Sequence, residues 1–473
     1  MGADESSDSD DVEEEAIQMM EDYPEDEEVN IEGGPDALAP PTGHSFRGIP
    51  ATGWEPPDCT LAVGPNDVVL GVNVEMAGYR KNGSQRFRWP NFMALFRKVT
   101  PTNASLFDPQ LAYDHYAKRW IAVIAARRNS PQGSWCMLGV SQTSDPAGKW
   151  WIWALNASKD GSTSTNNWMD YPQLGFDAQA IYIGMNQFRF GGGFQYSKLR
   201  ILYKKEVYAG GVGPSHTIKW YDFWNLKNPD GSKAFTVLPC RHYRGSRGNP
   251  PAYLINALWP RGKKLTMWTL KNPVGYWRGG SPSLSKASIS CRAYDLPPDA
   301  IQRGSSTRIQ TNDSRLLNAI FQYVGGTQRI WCTHTDRGTW RGDSEARSVI
   351  QWYEIDVPTK KVKQQNSYGA KGMYYFFPAI HTDINRNAYL VFSRCSKSQY
   401  VSVRQTGRRV IAPLNDLENS RLVKRGESAY SGGRWGDYFG ICRDGGDNRR
   451  VWGYGEYAAQ RGRWGTWVFS ARY

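Results

Sequence analysis

The sequence predicts an all-β fold, a seven-bladed β-propeller with six or eight blades as the alternatives. Three observations point there: a strand-turn-strand phrase that recurs, the interval at which it recurs, and a composition suited to strands and turns. The clearest copy is Tyr374-Tyr375-Phe376-Phe377-Pro378-Ala379-Ile380-His381-Thr382-Asp383, running on to Leu390-Val391-Phe392-Ser393. It reads as a strand entered through a Pro, a polar turn opened by Asp383, and a second, almost wholly apolar strand. Asp108-Pro109 through Asp114 with Trp120-Ile121-Ala122-Val123, and Tyr171-Pro172 through Asp177 with Ile181-Tyr182-Ile183, repeat it with Asp at the same distance from Pro. Looser copies begin at Pro57, Pro251, Asp313 and Asp437. With Pro57, Pro109, Pro172, Pro251, Arg315, Pro378 and Tyr438 as anchors, the intervals are 52, 63, 79, 64, 63 and 60 residues. Such a period, without long amphipathic helices, is what radial repetition of four-stranded sheets produces. The 20 Trp, 26 Tyr and 17 Phe favour half-buried pleated surfaces, and 48 Gly with 27 Pro supply turns.

In chain order, residues 1–45 read as an acidic disordered arm, poor in large apolar groups and ending in Gly and Pro. Residues 46–473 read as a single propeller. Its tail, residues 465–473, alternates as a strand and is expected to pair beside residues 44–52, which removes open sheet edges. Lys81-Asn82-Gly83-Ser84 is a two-strand turn, because Asn-Gly accepts positive φ. Thr143-Ser144-Asp145-Pro146 joins two outer strands. Arg189-Phe190-Gly191-Gly192-Gly193-Phe194 is a glycine-rich loop with one cation. The 79-residue interval is longer than the rest and holds Arg241-His242-Tyr243-Arg244-Gly245-Ser246-Arg247, a basic and aromatic stretch read as a surface loop.

The net charge of +13 conceals a split. Residues 1–36 hold 16 acids and no base, leaving 29 acids against 58 bases in the remainder, a net of +29. A body that cationic attracts polyanions. The seven Cys include no CxxC pair, which excludes zinc-ribbon spacing and leaves the redox compartment open. No run of 18 apolar residues exists, so no helix is expected to span a membrane.

Several phrases resemble a family of mostly secreted, sialidase-like β-propeller proteins of poorly characterised function. They are Pro56-Pro57-Asp58 with Ala62-Val63-Gly64-Pro65-Asn66, Tyr113-Asp114 with Arg119-Trp120, Val140-Ser141 with Thr143-Ser144-Asp145-Pro146, and Asp170-Tyr171-Pro172. Pro297-Pro298-Asp299-Ala300, Trp331 with His334-Thr335, Trp352-Tyr353-Glu354-Ile355-Asp356 and Arg434-Trp435-Gly436-Asp437-Tyr438 continue the series in consistent order. The resemblance implies a propeller and an extracellular or cell-surface location after removal of a signal peptide, with the cytoplasm as alternative. It carries little function, since a propeller hosts many activities. The Asp-box of sialidases survives only as Ser158-Lys159-Asp160-Gly161, and no position matches their three-Arg clamp or Tyr nucleophile.

Aligned on the hairpins, Asp58, Asp108, Asp170, Asp313 and Asp437 stand where the first strand of a blade begins, at the mouth of a central channel. Converging carboxylates repel. A hard cation such as Ca²⁺ satisfies them with oxygen ligation, ordered water with Arg partners is another solution, and capping of local backbone N–H groups is the plainer one. Arg189, Arg241, Arg244 and Arg247, with Asp170 and Asp437, are the ligand-binding candidates. His334, at a strand end, and His242 with Tyr243 are the residues that would move protons if the protein were a polysaccharide lyase or glycosidase. The leading expectation is a non-catalytic binding or scaffold protein for an anionic polymer, an acidic polysaccharide. The alternatives are that enzyme, and a structural subunit self-associating through residues 1–40. Nucleic acid fits the charge, but no recognised module supports it.

Overall fold

Along Arg119–Asn129 the side chains alternate between two apolar layers. Trp120, Ala122, Ile124 and Ala126 pack toward the preceding sheet. Ile121, Val123 and Ala125 pack toward the following one. A strand buried on both faces belongs to a sheet held between two others, and repetition of that arrangement makes this chain an all-β propeller. The computed structural model describes residues 39–244 and 250–473. Most of the expected acidic arm, and the self-association assigned to it, lie outside the described residues.

Five blades are separate four-stranded sheets. The first blade is Thr60–Val63, Asp67–Val72, Glu75–Arg80 and Gln85–Trp89; the second is Ser105–Asp114, Arg119–Asn129, Gln132–Ser141 and Trp150–Asn156. A third comprises Leu238–Pro239, Ala252–Ala257, Gly262–Lys271 and Ser283–Tyr294, and a fourth runs from Tyr374–Thr382 to Arg421–Lys424. The closing blade takes Gly440–Arg443, Val451–Ala458 and Trp464–Ala471 from the end of the chain and Thr42–Pro50 from its start. Besides a two-stranded ribbon of Lys159–Asp160 and Thr163–Ser164, one further sheet has nine strands: a four-stranded meander from Asn167–Phe176 to Trp220–Phe223, another from Asn318–Val324 to Lys361–Tyr368, and Arg241–Arg244 between them. The first strands touch in a closed cycle, from Thr60–Val63 through each sheet to Gly440–Arg443 and back. The apolar cores lie between the sheets, and the cycle encloses the axis.

Ser45 pairs with Phe469, Phe46 with Val468 and Arg47 with Trp467 in the closing blade. That ladder runs back to Thr42 opposite Ala471, and the Ala39 N–H bonds the Asn419 carbonyl, so ordered pairing begins before residue 46. Two expectations are corrected. Pro251 does not open a blade: Ala252–Ala257 is the second strand of its sheet, and Leu238–Pro239 is the first. Arg241–Arg244 is no surface loop. After Pro239 the chain leaves its own sheet and runs parallel to Asn318–Val324, pairing Arg241 with Ile320 and Tyr243 with Gln322.

The recurring Pro sits inside its strand rather than at the entrance. Ladder registers break between Phe107 and Gln110, Asp170 and Gln173, and Phe376 and Ala379, each at an X-Pro pair. The residue before Pro adopts positive φ: Asp108 at 53°, Tyr171 at 50° and Phe377 at 50°. A bulge is where a strand tolerates a residue without an N–H. The strained residue's own N–H is held by a neighbouring sheet. Asn73 Oδ1 accepts from Asp108 at 2.8 Å, Asp108 Oδ2 from Tyr171 at 3.0 Å, and Thr335 Oγ1 from Phe377 at 3.1 Å. All seven cysteines are free thiols. Among the described residues no helix is long and apolar enough to cross a membrane.

Candidate functional site

The bulge at Asp108 and the lead-ins to the first strands of the first and closing blades place three aspartates at the channel mouth. One carboxylate oxygen each from Asp58, Asp108 and Asp437 lies within 4.8 Å of the others. Asp58 Oδ1 accepts the Asp437 backbone N–H at 2.8 Å, and its Oδ2 accepts Asn73 Nδ2 at 2.6 Å. Asp437 Oδ1 accepts Asn312 Nδ2 at 2.9 Å, with Arg434 at 3.5 Å from Oδ2. Backbone capping and convergence therefore occur together. Beside them, burial and then the charge of Asp437 push Asp170 up to about 6, while Arg315 and Arg434 pull it down. Asp313, expected in the same ring, does not join the triad: Arg315 Nη2 lies 2.7 Å from it and Trp259 Nε1 donates to it at 2.8 Å. Burial raises its carboxyl, but Arg315 outweighs burial and leaves it below the ordinary range. The positive-φ position there belongs to Asn312.

Below the aspartates two tyrosines cross the axis. Tyr171 Oη donates to the Asp437 carbonyl at 3.0 Å and Tyr438 Oη to the Pro109 carbonyl at 2.8 Å, their rings edge to face at 5.7 Å. Further in, Arg241 Nε donates to the Leu174 carbonyl at 3.1 Å, and burial lowers its pKa. At the far end a cavity of about 120 Å³ is lined by His115, Arg241, Tyr243 and Arg443 among others. Tyr243 stacks on His115 at 5.1 Å, meets His381 edge-on at 4.5 Å and lies 4.9 Å from the Arg443 guanidinium. Its burial, first of the causes, raises the phenol.

The three proton-transfer candidates are not assembled. His242, next to Tyr243 along a strand, points the opposite way and packs against Tyr253 and Phe321. His334 is fully buried in the second meander, its Nε2 3.0 Å from Tyr353 Oη, and burial holds it down to about 3. The expected ligand-binding arginines also separate. Arg189 is exposed at the hairpin beside Asn167, Arg241 faces the axis, Arg244 ends its strand, and Arg247 lies outside the described residues. The Asp-box remnant is structural: Asp160 accepts Lys198 Nζ at 3.1 Å, and the Gly161 N–H bonds Asp222.

A basic cleft of about 520 Å³ runs over the blade of Tyr374–Lys424, lined in part by Arg303, Arg394, Arg404, Lys424, Arg425 and Tyr400. Arg303 stacks on Tyr400 at 5.1 Å. Arg404 is held by Ser420, and Arg394 by Gln399 at 3.1 Å. Glu427, the carboxylate of this lining, pairs with Lys424 at 2.6 Å. Ladder pairing assembles the cleft, setting Arg394 opposite Ser402 and Arg404 opposite Leu422.

No family model matches the chain and no curated protein matches it in sequence. Solved structures similar in chain path include an α-L-arabinofuranosidase of Fusarium graminearum in complex with an iminosugar inhibitor, at 8% identity and a TM-score of 0.40 over 91% of this chain and 98% of that one. An α-L-arabinanase of Penicillium chrysogenum complexed with arabinobiose matches at 8% identity and 0.39, over 91% and 98% of the two chains. A Trypanosoma rangeli sialidase in complex with sialic acid matches at 10% identity and 0.39, over 92% of this chain and 59% of that one.

Proposed function

We propose that the chain is a seven-bladed, non-catalytic propeller that binds an acidic polysaccharide along the basic cleft of the Tyr374–Lys424 blade. The cleft carries the reading: five cations and a tyrosine surround one carboxylate, which already has a cationic partner. Guanidiniums present forked donors to sulfate or carboxylate, and the Tyr400 ring offers a sugar an apolar face. The closed cycle of first strands supports the count of seven, with the two meanders of the nine-stranded sheet taken as blades. On this reading Arg189, Arg241, Arg244 and Arg247 are not the main binding set.

Retention on immobilised heparin tests it. The double substitution Arg303→Glu and Arg425→Glu should lower the eluting salt and reduce the slope of log affinity against log salt by about one per cation removed. Lys219→Glu, outside the cleft, should elute with the parent. Equal retention of the double variant, or retention indifferent to salt, overturns the assignment. The enzyme alternative names His334, His242 and Tyr243, which the fold does not bring together as a set; unsaturated ends released from a uronate polymer would favour it over the binding reading.

A further inference from the structure

We propose that the channel mouth binds one hard divalent cation, Ca²⁺ in class, through the carboxylates of Asp58, Asp108 and Asp437, with Glu456 as a further acidic group of the same site. Two independent observations carry this. The first is spacing. A calcium ion bonds oxygen at about 2.3–2.6 Å, so its ligands lie up to about 5 Å apart, and the three aspartate oxygens fall within 4.8 Å of one another. Each oxygen already bonded to a backbone or amide N–H retains a second lone pair.

The second observation is Glu456, in the second strand of the closing blade. It is fully buried, and neither of its carboxylate oxygens has a hydrogen-bond partner. An isolated buried carboxylate is among the costliest groups a fold can hold. Its position explains the arrangement. A β-carbon placed on Gly436 would stand 3.4 Å from Glu456 Oε2 and 3.9 Å from Asp58 Oδ1, so the two carboxylates flank the residue preceding Asp437. Glu456 and Asp58 thus face the residue beside Asp437, and Asp58 and Asp437 in turn lie with Asp108, with Arg434 at the edge of the group. A divalent cation offsets most of that charge and joins the first, second and closing blades, where the two chain ends meet.

The full-length protein, freed of metal by chelator, is titrated with Ca²⁺ by calorimetry and with Tb³⁺ by luminescence, using Tyr171 and Tyr438 as sensitisers. One saturable site is expected, with a higher Tm when it is filled. Asp437→Asn and Glu456→Gln should each weaken binding at least tenfold. Absence of a saturable site overturns the proposal and means that Glu456 carries a proton instead. Binding unchanged in both variants also overturns it, since the acids of residues 1–36 would then be the ligands. If Glu456→Gln does not fold, Asp437→Asn, whose carboxylate lies at the partly exposed rim, decides alone.

Discussion

A chain cut back to begin at Ala51 is expected to lose its cooperative thermal transition, whereas one beginning at Ala39 should keep the parent's Tm. The two differ only in residues 39–50, the outer strand of the closing blade and its lead-in. Without that strand the ladder edge of Trp464–Ala471 is open, and Thr466 Oγ1 loses the Ile49 carbonyl it donates to at 2.6 Å. His44 no longer stacks on Trp452 at 5.5 Å, and Phe46 no longer covers Tyr79 at 5.6 Å. Apolar burial of about 1.5–3 kcal/mol for Ile49 and about half that for the half-buried Phe46, with about 1 kcal/mol for each ladder bond, sum to roughly 5–10 kcal/mol. That is comparable to the whole stability of an ordinary domain, about 5–15 kcal/mol. The ring then opens at the seam where its ends meet. Thermal melts by near-ultraviolet circular dichroism check this, and equal Tm values for the two chains would refute the closure's energetic role.

The propeller was legible because the bulge has a sequence form. Pro within a strand is confined to edges, strand ends and bulges, and Asp108-Pro109, Tyr171-Pro172 and Phe377-Pro378 all mark a bulge. The phase slipped in the sheet of Leu238–Tyr294 because Thr236, at a φ of 50°, precedes Val237 and not Pro, while Pro250-Pro251 imitates the signal further on. A first strand only two residues long in its own sheet left nothing for periodicity to detect.

The site was legible in part. Asp58 and Asp108 occupy positive-φ positions that aim them at the axis. At the corresponding places Tyr171 and Asn312 hold those positions, so Asp170 and Asp313 are displaced by one residue and turn to other partners. Glu456 stands with Tyr457 in the last of the family-like phrases, after Arg434-Trp435-Gly436-Asp437-Tyr438, but the resemblance assigns it no role. The basic cleft was not read from the sequence either: register places Arg394 and Arg404 on neighbouring strands, while Arg303 arrives from a distant loop whose N–H bonds the Gln399 carbonyl.

The second large effect is expected at Asp336, a group in no proposed site: Asp336→Asn should stabilise the protein strongly at pH 8 and by less than half as much at pH 5. Asp336 is buried in the second meander, where its Oδ1 accepts the N–H groups of Asp295 at 2.8 Å and Arg337 at 2.7 Å. Burial pushes its carboxyl up to about 7 against the two hydrogen bonds, with the charge of Asp295 adding to the rise. A carboxyl whose folded pKa exceeds its unfolded value contributes stability fully below the unfolded pKa of 3.8 and loses it as pH rises through about 7. The parent should therefore weaken between pH 5 and pH 8 through this group. At about 1.4 kcal/mol per pKa unit the loss is on the order of 2–4 kcal/mol. Asn keeps the Oδ1 acceptor and carries no charge, so the variant should escape it. His334, held down to about 3, opposes this trend as pH falls below its ordinary 6.5, but it is present in both chains and cancels in their difference. Urea unfolding of parent and variant at pH 5, 6.5 and 8 supplies that difference. One that does not vary with pH would mean that Asp336 stays ionised throughout, with the two N–H donors outweighing its burial.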